Sequence, residues 1–193
     1  MYNVVNVLAW IAIIVGVYII HKKVKKKALG VAVLILVVLA CCALSLKVNT
    51  SVWFDTPSDV AKYLSNGKMK AAIEGQDSCC IITEQSSANH KFCLLGKEDN
   101  RYRILTASEW TSGEVEADDG MRVSLMFANG TPDGYAYGTF FEPVGSEILI
   151  TDTNGTVFTT TTLETVGSEN VILAYAYVGP IGDDYSVHVT YTS

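Results

Sequence analysis

Two apolar runs separated by a cluster of lysines constrain this chain more than anything else in it. The first runs from Val4 to Ile20 and is broken only by Asn6. The second runs from Ala28 to Leu46, carries no charge and holds one serine, Ser45. A helix rises about 1.5 Å per residue, so each run spans roughly 25–29 Å, close to the hydrocarbon thickness of a bilayer. The seven residues between them, His21 to Lys27, suit a tight antiparallel hairpin of helices over about 4–20 and 28–46. Ala12 with Gly16, and Ala28 with Ala32, are small residues at helical spacing. Such residues let membrane helices approach closely, and they are also common in membrane helices in general.

The lysines set an expected orientation. Lys22, Lys23, Lys25, Lys26 and Lys27 sit in the short connection with no acid among them. Short loops rich in Lys and Arg stay cytoplasmic. The hairpin tip is then inside and both ends are outside, with Trp53 near the outer interface. An alternative role for the same lysines is an anionic-lipid or partner site. A secretory signal competes for the second run, because Lys25-Lys26-Lys27 precede it and it ends in Ala40-Cys41-Cys42-Ala43. Val38-Leu39-Ala40-Cys41 approaches a bacterial lipoprotein box, but its leucine at the second position and the apolar run upstream depart from that pattern.

Charge follows the same division. The 193 residues carry a formal net charge of −6, yet residues 47–193 hold all 20 acids and only nine of the 14 basic residues. That region is therefore −11, and the lysine loop is +5. An acidic outer region argues against a nucleic-acid partner. At 49% hydrophobic the chain is too apolar for a disordered protein.

Residues 47–110 read as one short helix followed by an antiparallel β meander. Thr56 is placed to cap the helix, Pro57 to occupy its first turn, and Asp59 to meet the positive end of its dipole. Val60, Ala61, Tyr63 and Leu64 form an apolar face, and Asn66-Gly67 is the stop. The expected helix covers about Pro57 to Ser65. Expected strands are Lys68–Glu74, Ser78–Glu84, Lys91–Gly96 and Arg101–Glu109, with a polar break over Gln85–His90.

Residues 111–193 read as a β-sandwich-like domain. Met121, Val123, Leu125 and Phe127 alternate with Arg122 and Ser124, the period of a half-buried strand. Further strands are expected at Tyr135–Phe141, Glu147–Thr151, Thr156–Thr162, Val171–Val178 and Tyr185–Tyr191. Glycine turns separate them at intervals that suit a sandwich of six strands. The fold class is thus mainly β with two N-terminal transmembrane helices. Whether 47–193 is one domain or two stays open.

The side chains that could carry chemistry are few. Cys79, Cys80 and Cys93 fall outside the membrane, where disulfides form. If Gln85 faces Ala88, Cys80 and Cys93 lie opposite each other, which makes Cys80–Cys93 a candidate disulfide. The competing reading is three buried free thiols acting as small apolar residues. His90 lies three residues from Cys93, so the two point to opposite faces of a strand, which does not serve a thiol nucleophile needing a base. His188 is the other histidine of the outer region. No nucleophile elbow, His-Glu-x-x-His helix or phosphate loop is present. No catalytic, cofactor-binding or metal residue is assigned, and a thiol-dependent hydrolase is the enzymatic alternative.

Asp152-Thr153-Asn154-Gly155 has the opening of a calcium loop but lacks its later ligands, and a hairpin turn uses the same residues. Asp118-Asp119 and Asp183-Asp184 are further acidic turn pairs. Asn49, Asn129 and Asn154 begin Asn-x-Ser/Thr sequons, which matter only in a eukaryotic secretory route. Tyr135, Tyr137, Tyr175 and Tyr177 are candidates either for an exposed aromatic binding patch or for strand-face packing.

Phe54-Asp-Thr-Pro-Ser-Asp-Val-Ala-Lys-Tyr63 resembles a module of uncharacterised membrane-anchored surface proteins of Gram-positive bacteria. Ala174-Tyr-Ala-Tyr-Val178 with Asp184-Tyr185 is similar to the end of β-sandwich modules in such proteins. The resemblance covers about the outer 140 residues and brings no catalytic residue or ligand.

The expectation is a multi-pass protein of the cell membrane displaying an extracytoplasmic β-rich domain. Its role is structural or recognitional, and its partners are the bilayer and a surface protein, membrane protein or wall polymer. The alternative is an accessory or regulatory subunit of a membrane complex acting through the two-helix hairpin.

Overall fold

The computed structural model describes residues 51–64, 68–86 and 89–192, together with Ile14, Gly16–Tyr18 and Ile35–Leu36. The two apolar runs, the five lysines between them, Cys41 and the Asn66-Gly67 stop otherwise lie outside the described residues. The described positions within the runs are helical. Among the described residues no helix is long and apolar enough to cross a membrane. The chain divides into Met1–Val52 and Trp53–Ser193, and the β fold lies in the second unit.

Helix α1 (Pro57–Tyr63) starts where capping chemistry places it. Thr56 is extended (φ −139°, ψ 152°) and its Oγ1 accepts from the Asp59 amide at 3.2 Å. Val60 and Ala61 are buried. They pack with Cys79, Ile81, Leu95 and Tyr102 of the sheet beneath.

That sheet is a meander in the order β1-β2-β3-β4: β1 (Lys68–Glu74), β2 (Ser78–Ser86), β3 (Asn89–Glu98) and β4 (Arg101–Ile104). The expected polar break is shorter than the sequence suggests, because β2 and β3 continue pairing toward their turn through a bulge between Glu84 and Ser86. Strand β4 ends early. Glu109 returns its amide to the Thr106 carbonyl, and its carboxylate is held by Arg103 and Thr106, closing a turn where a strand was expected.

Seven further strands follow: β5 (Trp110–Glu116), β6 (Arg122–Ala128), β7 (Gly134–Pro143), β8 (Glu147–Asp152), β9 (Thr159–Val166), β10 (Glu169–Tyr177) and β11 (Val187–Thr192). Five form an antiparallel sheet in the order β5-β6-β7-β10-β9, and β8 pairs with β11 in a separate two-stranded ribbon. The first of these, β5, is absent from the sequence expectation. It is an edge strand of mixed exposure carrying Gly113 and two glutamates, so it shows no clean apolar alternation.

The five-stranded sheet is covered on both faces. Val123, Leu125, Ala136, Phe140 and Ile172 of one face pack with Ile150 and Val187 of the ribbon. On the other face Met126, Ala128 and Tyr135 pack with Cys80 and Leu94 of the meander. The order of layers is helix, four-stranded sheet, five-stranded sheet and ribbon. The cluster shared between the two larger sheets draws on both sides of residue 110, so Trp53–Ser193 is one unit in which that boundary marks a change of sheet.

Candidate functional site

The joint between the two large sheets is built on Asp133, in the turn from β6 to β7. Its side chain is 1% exposed. Oδ1 accepts from the Gln76 amide (2.9 Å) and the Tyr177 hydroxyl (3.1 Å). Oδ2 accepts from the Asp77 amide (2.8 Å) and Ser78 Oγ (2.8 Å). The single Ser78 proton goes to the carboxylate, so the Tyr135 hydroxyl, 2.8 Å away, donates to Ser78. Burial pushes the Asp133 pKa up, but the hydrogen bonds from Gln76, Ser78, Asp77 and Tyr177 outweigh it and hold the carboxyl below its usual range. Gly75 lies against this cluster without room for a Cβ, which would meet the Tyr135 hydroxyl and the Asp133 carboxylate.

This joint settles where the four tyrosines go. Tyr135 is fully buried, Tyr177 bonds Asp133, and Tyr137 stacks on Phe92 of β3, with ring centroids 3.5 Å apart and planes 12° apart. Tyr175 is half-buried opposite Tyr137 in the β7–β10 register. They are joint and strand-face residues, and no exposed patch forms from them.

Two open clefts flank the Phe92–Tyr137 stack. His90, Phe92, Ser124 and Tyr137 line both. One, of about 460 Å³, extends over Arg122, Thr139 and Leu173; the other, of about 550 Å³, extends toward Trp110 and Glu114. The walls thus combine aromatic rings with an imidazole, a guanidinium, a carboxylate and hydroxyls. His90 Nε2 is buried with no hydrogen-bond partner. Such walls suit recognition of a partly polar chain, with apolar contact at the stack and polar contacts at the margins.

The cysteines correct the disulfide expectation. The β2–β3 register pairs Ile81 with Cys93 and Cys80 with Leu94, one residue away from the pairing that would oppose Cys80 and Cys93. A one-residue slip exchanges faces. Cys80 therefore lies between the two sheets, whereas Cys93 packs beneath α1. Cys79, Cys80 and Cys93 are all free. Burial pushes Cys79 up to about 12 and Cys93 up to about 11, and raises Cys80 as well, so none is an activated thiolate near neutral pH. His90 lies in the strand phase of Phe92 and Cys93 in the opposite phase, so the two are not brought together.

The remaining candidates serve turns and edges. Asp152 is 4% exposed and its Oδ1 accepts from the Thr156 amide at 2.7 Å, a turn-closing contact. His188 is exposed, with Nδ1 3.4 Å from Asp118 Oδ2. Among the described residues no three His, Cys, Asp or Glu side chains are grouped to hold a metal ion.

Comparison with known proteins finds no match: no family model, no curated protein and no solved structure.

Proposed function

We propose that this chain is a membrane-anchored recognition protein. Helices over about 4–20 and 28–46 cross the bilayer, the lysine loop is cytoplasmic, and the acidic β unit is displayed on the outer face of a bacterial cell. The observation that carries the recognition role is the pair of clefts beside the Phe92–Tyr137 stack, open to solvent and fixed by two packed sheets. A partner segment, from a surface protein or wall polymer, would lie there. Ile14 and Leu36, helical and 63% and 66% exposed, fit side chains that face lipid.

Two measurements test this. A cysteine placed at Ser193 should react with a membrane-impermeant maleimide in intact cells, above the background of the unsubstituted chain. Labelling that appears only after permeabilisation overturns the topology. For the clefts, Thr139 is exposed on the rim, so Thr139→Trp fills the space without entering the core. A photo-crosslinker at Arg122 should capture a partner in cells, and T139W should suppress that product. An undiminished product refutes recognition at this place.

A further inference from the structure

The negative charge of the outer region is not spread through it. Residues 47–110 hold eight acids and eight bases. Residues 111–193 hold 12 acids and one base, Arg122, and so carry the whole net −11. A field of this size steers cationic partners and gives them a preferred end of the molecule.

Within this acidic half, a cleft departs from plain solvated charge. It has a volume of about 270 Å³ and is lined by Asp119, Met121, Phe141, Pro143, Glu169 and Tyr191. Phe141 and Tyr191 both line this cleft and remain 43% and 44% exposed. The Tyr191 hydroxyl lies 3.1 Å from the Phe141 carbonyl and 3.4 Å from Asp119 Oδ2, which fixes that ring on the wall. Asp119 Oδ1 accepts from the Met121 amide at 3.0 Å, which fixes the carboxylate. Glu169 is exposed on the facing strand, and among the described residues neither its carboxylate nor that of Asp119 has a cationic partner. Arg122, the one base nearby in sequence, lies 3.8 Å from Glu114 and lines the cleft beside Phe92.

We propose that this cleft is a docking site for a lysine- or arginine-bearing segment of a partner protein. The aliphatic stem of the incoming side chain covers Met121, Pro143 and the two rings. Its charged head meets Asp119 and Glu169. A cation over the face of Phe141 or Tyr191 adds a further attraction. Charge complementarity selects this occupant: an acidic or neutral segment would cover two carboxylates and leave their charge uncompensated. The site is separate from the clefts beside Phe92 and does not depend on the membrane topology, so each can fail without the other.

The test uses the full-length chain in zwitterionic nanodiscs and a fluorescent peptide of alternating lysine and leucine as probe. Glu169→Gln and Phe141→Ala should each weaken binding about fivefold. Asp183→Asn removes an equal charge from another exposed turn of the same acidic half and should change binding less than about twofold. Unfolding midpoints of the variants near that of the parent chain establish that they fold. Equal losses in E169Q and D183N, or an undiminished affinity in F141A, overturn the proposal in favour of diffuse electrostatics. So does self-association of the chain, read by sedimentation in the absence of peptide, that E169Q and F141A both abolish.

Discussion

Asp133→Asn is the substitution that most directly tests how the two sheets are joined. The carboxylate receives four hydrogen bonds, two on each oxygen, and two of the donors are backbone amides. An amide side chain keeps one oxygen and turns an N–H₂ toward the other pair of donors. The hydroxyls of Ser78 and Tyr177 can rotate to accept instead, but a backbone N–H cannot. Whichever way the amide is turned, one of the Gln76 and Asp77 amides loses its acceptor in a half-buried place. A buried unsatisfied donor costs about 1–3 kcal/mol, and hydrogen bonds to a charged acceptor are worth roughly twice neutral ones. The expected loss is about 2–4 kcal/mol, a large share of the 5–15 kcal/mol typical of a folded domain.

In a unit of this size that lowers the midpoint of thermal unfolding by roughly 4–14 °C. Circular dichroism of the full-length chain in detergent at pH 7 reads it. The pH dependence follows from the lowered carboxyl. The unfolded chain takes up the proton near pH 4, and the folded chain does so only at lower pH. Stability from this group is therefore complete above about pH 4 and is lost as pH falls through the folded value. The wild-type chain should show that acid loss and D133N should lack its share of it. A D133N midpoint within about 1 °C of wild type at pH 7 would refute the reasoning.

Two further outcomes are expected. Cys79, Cys80 and Cys93 should resist a thiol reagent in the native chain and all alkylate once it is unfolded without reductant; a peptide map containing a Cys80–Cys93 link would contradict the observed register. Gly75→Ala should destabilise by about 2 kcal/mol or more, because its new Cβ would lie 2.8 Å from Asp133 Oδ1 and closer to Tyr135, both held in place by hydrogen bonds; an unchanged urea midpoint would show that the joint yields.

Much of the local structure is legible without any tertiary contact. The start of α1 follows from Thr56, Pro57 and Asp59, which act within one turn. The meander follows from period-two runs separated by short turns, and β1 and β6 lie where their alternation puts them. Other elements moved. The strand expected at Thr156–Thr162 is found at Thr159–Val166, and the one expected at Tyr185–Tyr191 at Val187–Thr192. Runs of threonine and mixed polar residues mark a strand without marking its ends. The clefts left no local signal, since Phe92 and Tyr137 meet only when the meander lies on the five-stranded sheet.

What the sequence by itself determined is therefore what neighbouring residues decide: helix capping, strand period, turn positions and the separation of charge along the chain. The tertiary structure alone decided the rest. Asp133 reads as an ordinary Asp-Gly turn until the β1–β2 turn with Ser78, 55 residues away in sequence, and Tyr177 of β10 supply its donors. Cys80 and Cys93 read as possible partners until the hairpin register, off by a single residue, sends them to opposite faces. The pairing of β8 with β11, and the layering that buries both faces of the central sheet, likewise rest on contacts between distant segments. Side-chain period along a strand is local, but which strand lies opposite, and in which register, is chosen by the burial that the whole assembly achieves.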